Sequence, residues 1–252
     1  MLFYYLPTAI FTAMGQKKLI RFEAIRSFAN VLEHPAGMKG QWNNYFKNDH
    51  PIVLELACGK GEYAVGLGRV HPNKNFIGID IKGNRIWRGA KTALDEGLGN
   101  IAFIRSEIDK VTDYFNPNEV EDIWITFPDP QLRLSKAKKR LTHPRFLRLY
   151  KQFLQPSGLV HLKTDSPDLY QFTKTVIHLF ELELLVDHED VYAVAGIGDE
   201  LRIKTHYEGL DIAQSNRVHY LQFRLNKELP PEKDKELIEV IGSKYLINER
   251  RN

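Results

Sequence analysis

Residues 52–68 read IVLELACGKGEYAVGLG, and this stretch decides the fold. An apolar run suited to a buried strand leads into Gly59 and Gly61, and helical spacing follows them. Glycine is needed where a backbone turns sharply from strand to helix and lets a ligand approach closely. Asp80 ends the next apolar run, nineteen residues beyond Gly61. A carboxylate there can accept hydrogen bonds from both ribose hydroxyls of an adenosine.

Short apolar runs alternate with helically spaced stretches from residue 50 onward. Strands are predicted at 52–57, 75–80, 101–105, 122–127 and 159–163, and helices near 62–70, 84–97, 107–115, 143–155 and 167–180. Such alternation is typical of βαβ units in a parallel sheet with helices on both faces. Two further strands are predicted near 182–194 and 217–225. The sequence therefore predicts an α/β, Rossmann-like fold with a mostly parallel seven-stranded sheet.

The two ends of the chain differ in composition from its middle. Residues 1–16 are predicted to be a leader, because the opening MLFYYLPTAIFTAM has no Lys or Arg before its apolar run and is interrupted by Pro7. We interpret it as a disordered leader or as sequence preceding a start at Met14, in preference to a targeting signal. A single domain with an N-terminal helical segment is predicted for 17–225, and a charged, solvated helical tail for 226–252.

Bulk composition excludes several classes of protein. Among 252 residues, 35 are Lys or Arg and 32 are Asp or Glu, so the net charge of +3 does not by itself indicate a nucleic-acid partner. Cys58 is the only cysteine, which excludes an internal disulfide and favours a cytoplasmic location. The His residues are scattered, so no metal site is expected. The sequence indicates no membrane association and no obligate protein partner, and it leaves monomer and homodimer open.

The glycine turn also fits the dinucleotide fingerprint G-x-G-x-x-A, so an NAD-dependent dehydrogenase is an alternative. Glu55 and Glu62 weigh against it, because carboxylates on both sides of the turn would repel a pyrophosphate. A buried Glu55 needs a partner, which the cationic amino-acid part of S-adenosylmethionine would provide. A glycine turn with no ligand remains a third interpretation.

A second group of residues follows the strand at 122–127, where DIWITFPDP brings Asp129 to the ligand-binding edge of the sheet. Pro128 and Pro130 restrict the backbone on both sides of that carboxylate. Residues 131–151, QLRLSKAKKRLTHPRFLRLYK, then contain eight Lys or Arg and no Asp or Glu. A run of one sign beside the site favours contacts with nucleic-acid phosphates over a merely solvated surface.

Two later clusters complete the candidate site. Lys163-Thr164-Asp165 ends the fifth strand, and RIKTHYE occupies 202–208 in a long polar loop at 195–216. Asp165 and Glu208 could accept hydrogen bonds from the N1–H and the amino group of a guanine. Asp129 and Asp165 could also stabilise positive charge that develops on the base during a transfer reaction.

ELACGKGEY, GIDIKGNR, FPDP with its basic run, LKTD and TxYE stand in the order found in the bacterial tRNA (guanine-N7)-methyltransferases, which the chain resembles over 17–225. The resemblance implies methyl transfer from S-adenosylmethionine to N7 of guanine 46 in the tRNA variable loop. It also implies that Asp129 is catalytic, with a cofactor site of Glu55, Gly59, Gly61, Asp80, Glu107 and Asp129. The implied substrate site comprises Arg133, Asp165, Thr205, Tyr207 and Glu208.

The chain departs from the family pattern at three places. Ala57 stands where the family has Gly, so we expect a backbone without positive φ there. Glu107 stands where Asp is usual, and QLRLSK at 131–136 replaces a run containing Trp and a third Pro. The alternatives that remain are a methyltransferase acting on another RNA or a small molecule, and a non-catalytic RNA-binding protein.

Overall fold

An eight-stranded sheet forms the centre of the protein in a computed structural model, which describes residue 16 and residues 18–210 and 214–249. The strands are β1 (Val31–Glu33), β2 (Ile52–Leu56), β3 (Asn75–Asp80), β4 (Ile101–Arg105), β5 (Val120–Thr126), β6 (Leu154–Thr164), β7 (Glu183–His188) and β8 (His219–Arg224). Their order is β1-β4-β3-β2-β5-β6-β8-β7. β8 runs antiparallel to β6 and β7, and the other pairings are parallel.

The predicted α/β, Rossmann-like, mostly parallel sheet is confirmed, but the predicted count of seven strands is wrong. The additional strand is β1, which pairs in parallel with β4 at the sheet edge. Its three residues are too few to show a hydrophobic period in the sequence. An ion pair between Arg105 and Glu33, with Nη1 and Oε2 2.5 Å apart, joins the two strands.

Helices connect the strands. They are α1 (18–24), α2 (Trp42–Phe46), α3 (Glu62–Val70), α4 (Gly83–Asp95), α5 (Pro144–Tyr150), α6 (Pro167–Leu179), α7 (Asp199–Arg202) and α8 (Lys233–Glu249). The helix predicted near 107–115 is instead a 3₁₀ helix at Ile108–Asp113. Val111 and Tyr114 are both buried, and their separation of three residues suits the three-residue repeat of a 3₁₀ helix.

Apolar cores form on both faces of the sheet. Leu54 and Ile123 face the core that contains α5, α6 and α8. On the opposite face, Val53 and Trp124 pack with residues of α3 and α7, while α4 covers β4. The C-terminal tail is not only solvated, because Leu237 of α8 is completely buried in the first of these cores.

The carboxyl ends of β2, β3, β5 and β6 lie at one edge of the sheet, where open α/β folds bind ligands. The predicted leader at 1–16 lies outside the described residues except for residue 16. Within the part of the chain that the structure describes, no helix is both long and apolar enough to cross a membrane.

Candidate active site

A pocket of about 910 Å³ opens at the carboxyl ends of these four strands. Its lining includes predicted site residues from six separate segments: Glu55, Gly59, Asp80, Glu107, Asp129, Asp165, Thr205 and Tyr207. Three other predicted residues, Gly61, Arg133 and Glu208, do not line it. The volume is within the usual range for a small-molecule or cofactor site.

The glycine turn contains a left-handed residue that is not glycine. Ala57 has φ +55°, so the expectation that this position avoids positive φ is wrong. The N–H of Cys58 donates to the carbonyl of Ile79, and the N–H of Gly61 donates to the carbonyl of Cys58 at 2.8 Å. These bonds hold the turn in a conformation that costs an alanine about 1–2 kcal/mol. Gly61 has φ +67°, and a side chain there would collide with the ring of Phe103.

Glu55 is a buried carboxyl group at the base of the pocket. Its two oxygens accept hydrogen bonds from the Ala64 N–H at 2.8 Å and the Thr126 hydroxyl at 2.7 Å. Burial, together with the smaller effects of the Asp80 and Glu62 charges, raises the pKa of Glu55 to about 8 despite these donors. Among the described residues, no Lys, Arg or His forms an ion pair with Glu55. The site is therefore suited to a cationic group that would stabilise the ionised carboxylate.

Asp80 connects the turns that follow β2 and β3. One carboxylate oxygen accepts from the Gly59 N–H at 2.9 Å, and the other accepts from the Lys82 N–H at 2.7 Å. Each oxygen keeps a further lone pair for a ligand hydroxyl.

Glu107 also lines the pocket, and its side chain is about half exposed to solvent. A hydrogen bond from its own backbone N–H holds the pKa of Glu107 below its usual range.

Asp129 is exposed at the pocket rim, and its Oδ1 accepts a hydrogen bond from the Gln131 N–H at 3.0 Å. The backbone on both sides of it is strained, with φ +45° at Phe127 and +49° at Gln131. The buried guanidinium of Arg140 holds this segment from behind, by donating to the carbonyls of Pro130, Gln131 and Leu132 at 3.1–3.4 Å. Residues 130–132 are therefore fixed from inside the protein.

The eight basic residues of 131–151 divide into two groups. Arg140 is buried, and Arg145, Arg148 and Lys151 form ion pairs with Asp109, Asp234 and Glu228 respectively. The other four are exposed and form no ion pair within the described part of the chain: Arg133, Lys136, Lys138 and Lys139. The prediction of a positive surface beside the site therefore applies to these four residues, which we call the first basic surface.

The loop at 199–208 is attached to the sheet through Lys163, which lies at the end of β6 and is completely buried. Its Nζ donates to the carbonyls of Leu201 and Ile203, both at 2.9 Å, and to Glu208 Oε2 at 3.1 Å. Burial holds the pKa of Lys163 below its usual range, while Glu208 opposes that shift. Glu208 also accepts a hydrogen bond from the Tyr192 hydroxyl.

The attachment of this loop to Lys163 affects three of the predicted substrate residues. Glu208 points to Lys163 and not into the pocket, so its predicted contact with a guanine edge has no geometric support here. Tyr207 and Thr205 are held at the pocket, with the Tyr207 ring over Gly59. Lys163 belongs to the predicted Lys163-Thr164-Asp165 cluster but had no predicted role of its own, and a lysine within an apolar strand was the available signal.

We expect Lys163→Met to lower the free energy of unfolding by about 1–3 kcal/mol, because the Glu208 carboxylate and two carbonyls would lose their buried donor. Urea unfolding measures the change. Lys174→Met is the matched control, since the Lys174–Asp187 ion pair is about one-third exposed and should contribute about 1 kcal/mol or less. Equal losses in the two variants would contradict the role of Lys163 as a buried anchor.

The strand order, the glycine turn and the pocket at the strand ends define a Rossmann-like methyltransferase fold. A family model described as a putative methyltransferase matches residues 49–221. Among solved structures, a 30S ribosomal A1408 methyltransferase from an uncultured bacterium is similar, with a TM-score of 0.54 and 17% identity over 75% of this chain and 93% of that one. A 16S rRNA methyltransferase has a TM-score of 0.55 and 14% identity over 73% and 92%.

Similar sequences define the family more narrowly. A tRNA (guanine-N(7)-)-methyltransferase of Christiangramia forsetii is 48% identical over 84% of this chain and 100% of its own length. One from Bacteroides thetaiotaomicron is 45% identical over 85% and 88%, and one from Lactococcus lactis is 30% identical over 81% and 91%. The chain belongs to the tRNA (guanine-N7)-methyltransferase family.

Among the described residues, no group of three or more His, Cys, Asp or Glu side chains is arranged to hold a metal ion.

Proposed function

We propose that this protein transfers the methyl group of S-adenosylmethionine to N7 of guanine 46 in the variable loop of tRNA. The arrangement that carries the proposal is one pocket lined by a buried carboxyl, Glu55, and by three rim residues, Asp129, Asp165 and Tyr207. The names of the similar proteins support tRNA and guanine N7, and the resemblance described above suggests position 46.

The pocket fits S-adenosylmethionine chemically. Glu55 is the acceptor for the α-ammonium group, because it is buried and lacks a cationic partner among the described residues. Asp80 is the acceptor for the ribose hydroxyls, with Gly59 and Gly61 keeping the turn open and Glu107 beside the adenine. When bound, the cofactor supplies an electrophilic methyl group on a sulfonium.

The reaction at guanine N7 needs no general base. N7 of a neutral guanine has a free lone pair and carries no proton, so the residues only have to orient the base. Orientation can contribute about 7–11 kcal/mol in favourable cases. Positive charge moves onto the imidazole ring of guanine during the transfer. The carboxylates of Asp129 and Asp165, which follow the neighbouring strands β5 and β6, stabilise that charge.

Incubation of the purified protein with unmodified tRNA and S-adenosylmethionine tests this proposal. We expect 7-methylguanosine in the digested RNA by mass spectrometry. The matched substrate is the same tRNA with adenine in place of guanine 46, from which the product should be absent.

The matched tRNA, together with a separate measurement of S-adenosylmethionine binding, separates the parts of the proposal. Product from both tRNAs would contradict position 46 and leave the reaction intact. Absence of product while S-adenosylmethionine binds would contradict the tRNA substrate. Absence of both product and cofactor binding would contradict the methyltransferase activity itself.

A further inference from the structure

A second set of cations surrounds the pocket on the side of α4. Lys82, Arg85, Arg88 and Lys204 form no ion pair with any described carboxylate, and three of them are exposed. We call these four residues the second basic surface. Elsewhere, surface cations such as Arg69, Lys91 and Arg217 are held by a nearby Glu or Asp. Uncompensated positive charge is the feature that attracts phosphate groups.

A groove of about 690 Å³ contains part of this surface. Arg88 of α4 lines one wall, and Lys204 and His206 of the late loop line the other. Glu62 and Thr205 line both this groove and the active pocket, so the two cavities lie side by side. Glu62 accepts a hydrogen bond from the His206 N–H at 2.7 Å and is the one carboxylate among the groove's described lining residues, so it offsets only part of their positive charge.

The second basic surface lies across the pocket from the first. α4 follows β3, whereas residues 131–139 follow β5. β3 and β5 pair with opposite sides of β2, whose carboxyl end is the floor of the pocket. An RNA strand that contacts both surfaces therefore passes over the pocket mouth, and a base turned out of that strand enters between them.

We propose that the groove between α4 and residues 203–206 binds the phosphate backbone of the RNA substrate beside the target guanine. This inference rests on the proposed function, because it takes tRNA as the partner. Each phosphate neutralised by Lys or Arg releases counterions, so the contacts contribute to the salt dependence of binding. Arg88 and Lys204 do not line the active pocket and can be changed without altering the cofactor site.

The test measures the dissociation constant of unmodified tRNA at several salt concentrations for the full chain and for Arg88→Ala/Lys204→Ala. We expect weaker binding and a slope of log Kd against log salt that is smaller by about 1–2. Lys39→Ala/Lys235→Ala is the matched control. Lys39 lies next to Gly40, which contacts Glu119 at the amino end of β5, and Lys235 lies on α8 on the other face.

The affinity for S-adenosylmethionine, measured on the same preparations, shows that the variants are folded and should be unchanged. An unaltered slope in Arg88→Ala/Lys204→Ala would overturn the inference, and a reduced slope in Arg133→Ala/Lys136→Ala would then show that only the first basic surface binds RNA. Absence of salt-dependent tRNA binding by the unaltered protein would overturn the proposed function together with this inference.

Discussion

Replacement of Asp129 by Ala is expected to lower kcat for tRNA methylation by roughly 10²–10³-fold, a typical cost of removing one preorganised group that stabilises transition-state charge. The tRNA dissociation constant should change little, because the phosphate contacts proposed above involve other residues. The fold should also persist, since the side chain is exposed. Single-turnover methylation at saturating tRNA and cofactor measures the chemical step.

Asp129→Asn distinguishes charge from geometry. The asparagine Oδ1 can still accept the hydrogen bond from the Gln131 N–H, so the turn is retained while the negative charge is lost. We expect kcat in this variant to fall nearly as far as in Asp129→Ala. A kcat within threefold of the unaltered protein would show that the carboxylate charge takes no part in the reaction.

Replacement of Glu55 by Gln is expected to weaken S-adenosylmethionine binding by roughly 10²-fold or more, the usual loss when one partner of a buried charged contact is removed. The glutamine side chain has nearly the same shape as that of glutamate and fits the same buried position. Its oxygen can accept from the Ala64 N–H, and its NH₂ can donate to the Thr126 hydroxyl. Adenosine is the matched ligand, because it lacks the ammonium group and should bind both proteins alike. Equal loss of adenosine binding would indicate a collapsed pocket.

The same substitution should stabilise the ligand-free protein at high pH. The pKa of Glu55 is raised to about 8 in the folded state from an ordinary 4.5. Its contribution to stability is therefore fully present below pH 4.5 and is lost as the pH rises to about 8. We expect the Tm of Glu55→Gln to exceed that of the unaltered protein by an amount that grows over this window and then levels off. Each kcal/mol corresponds to roughly 2–4 °C, and a difference independent of pH would contradict the assignment.

The local sequence pattern was sufficient to predict the central strands of the sheet. The strands predicted at 75–80 and 101–105 coincide with β3 and β4, because both are compact apolar runs between polar segments. Gly59, Asp80, Glu107, Asp129 and Asp165 come together because each lies at or just after the end of a parallel strand, and parallel strands place their carboxyl ends at one edge. β1 was not predicted, because it has only three residues and its pairing strand, β4, is distant in the sequence.

Other features of the site depend on contacts between residues far apart in the sequence, which a local sequence pattern cannot predict. Lys163 and Glu208 are 45 residues apart, and only the folded chain shows that they bind each other. In the basic run, Arg133 and Arg140 look alike in sequence, yet one is exposed and the other is buried. The positive φ of Ala57 likewise results from the hydrogen bonds of its neighbours, which overcome the preference of an alanine.

The buried guanidinium of Arg140 has a consequence for the thermodynamics of RNA binding. By holding three successive carbonyls, it removes the conformational freedom of the segment between Asp129 and Arg133 when the chain folds. Ordering a residue's backbone costs about 1–2 kcal/mol, and a flexible loop would incur that cost at each binding event. Here the entropy is already lost before the RNA arrives. In the complex proposed above, this segment would therefore bind RNA with little further loss of backbone entropy.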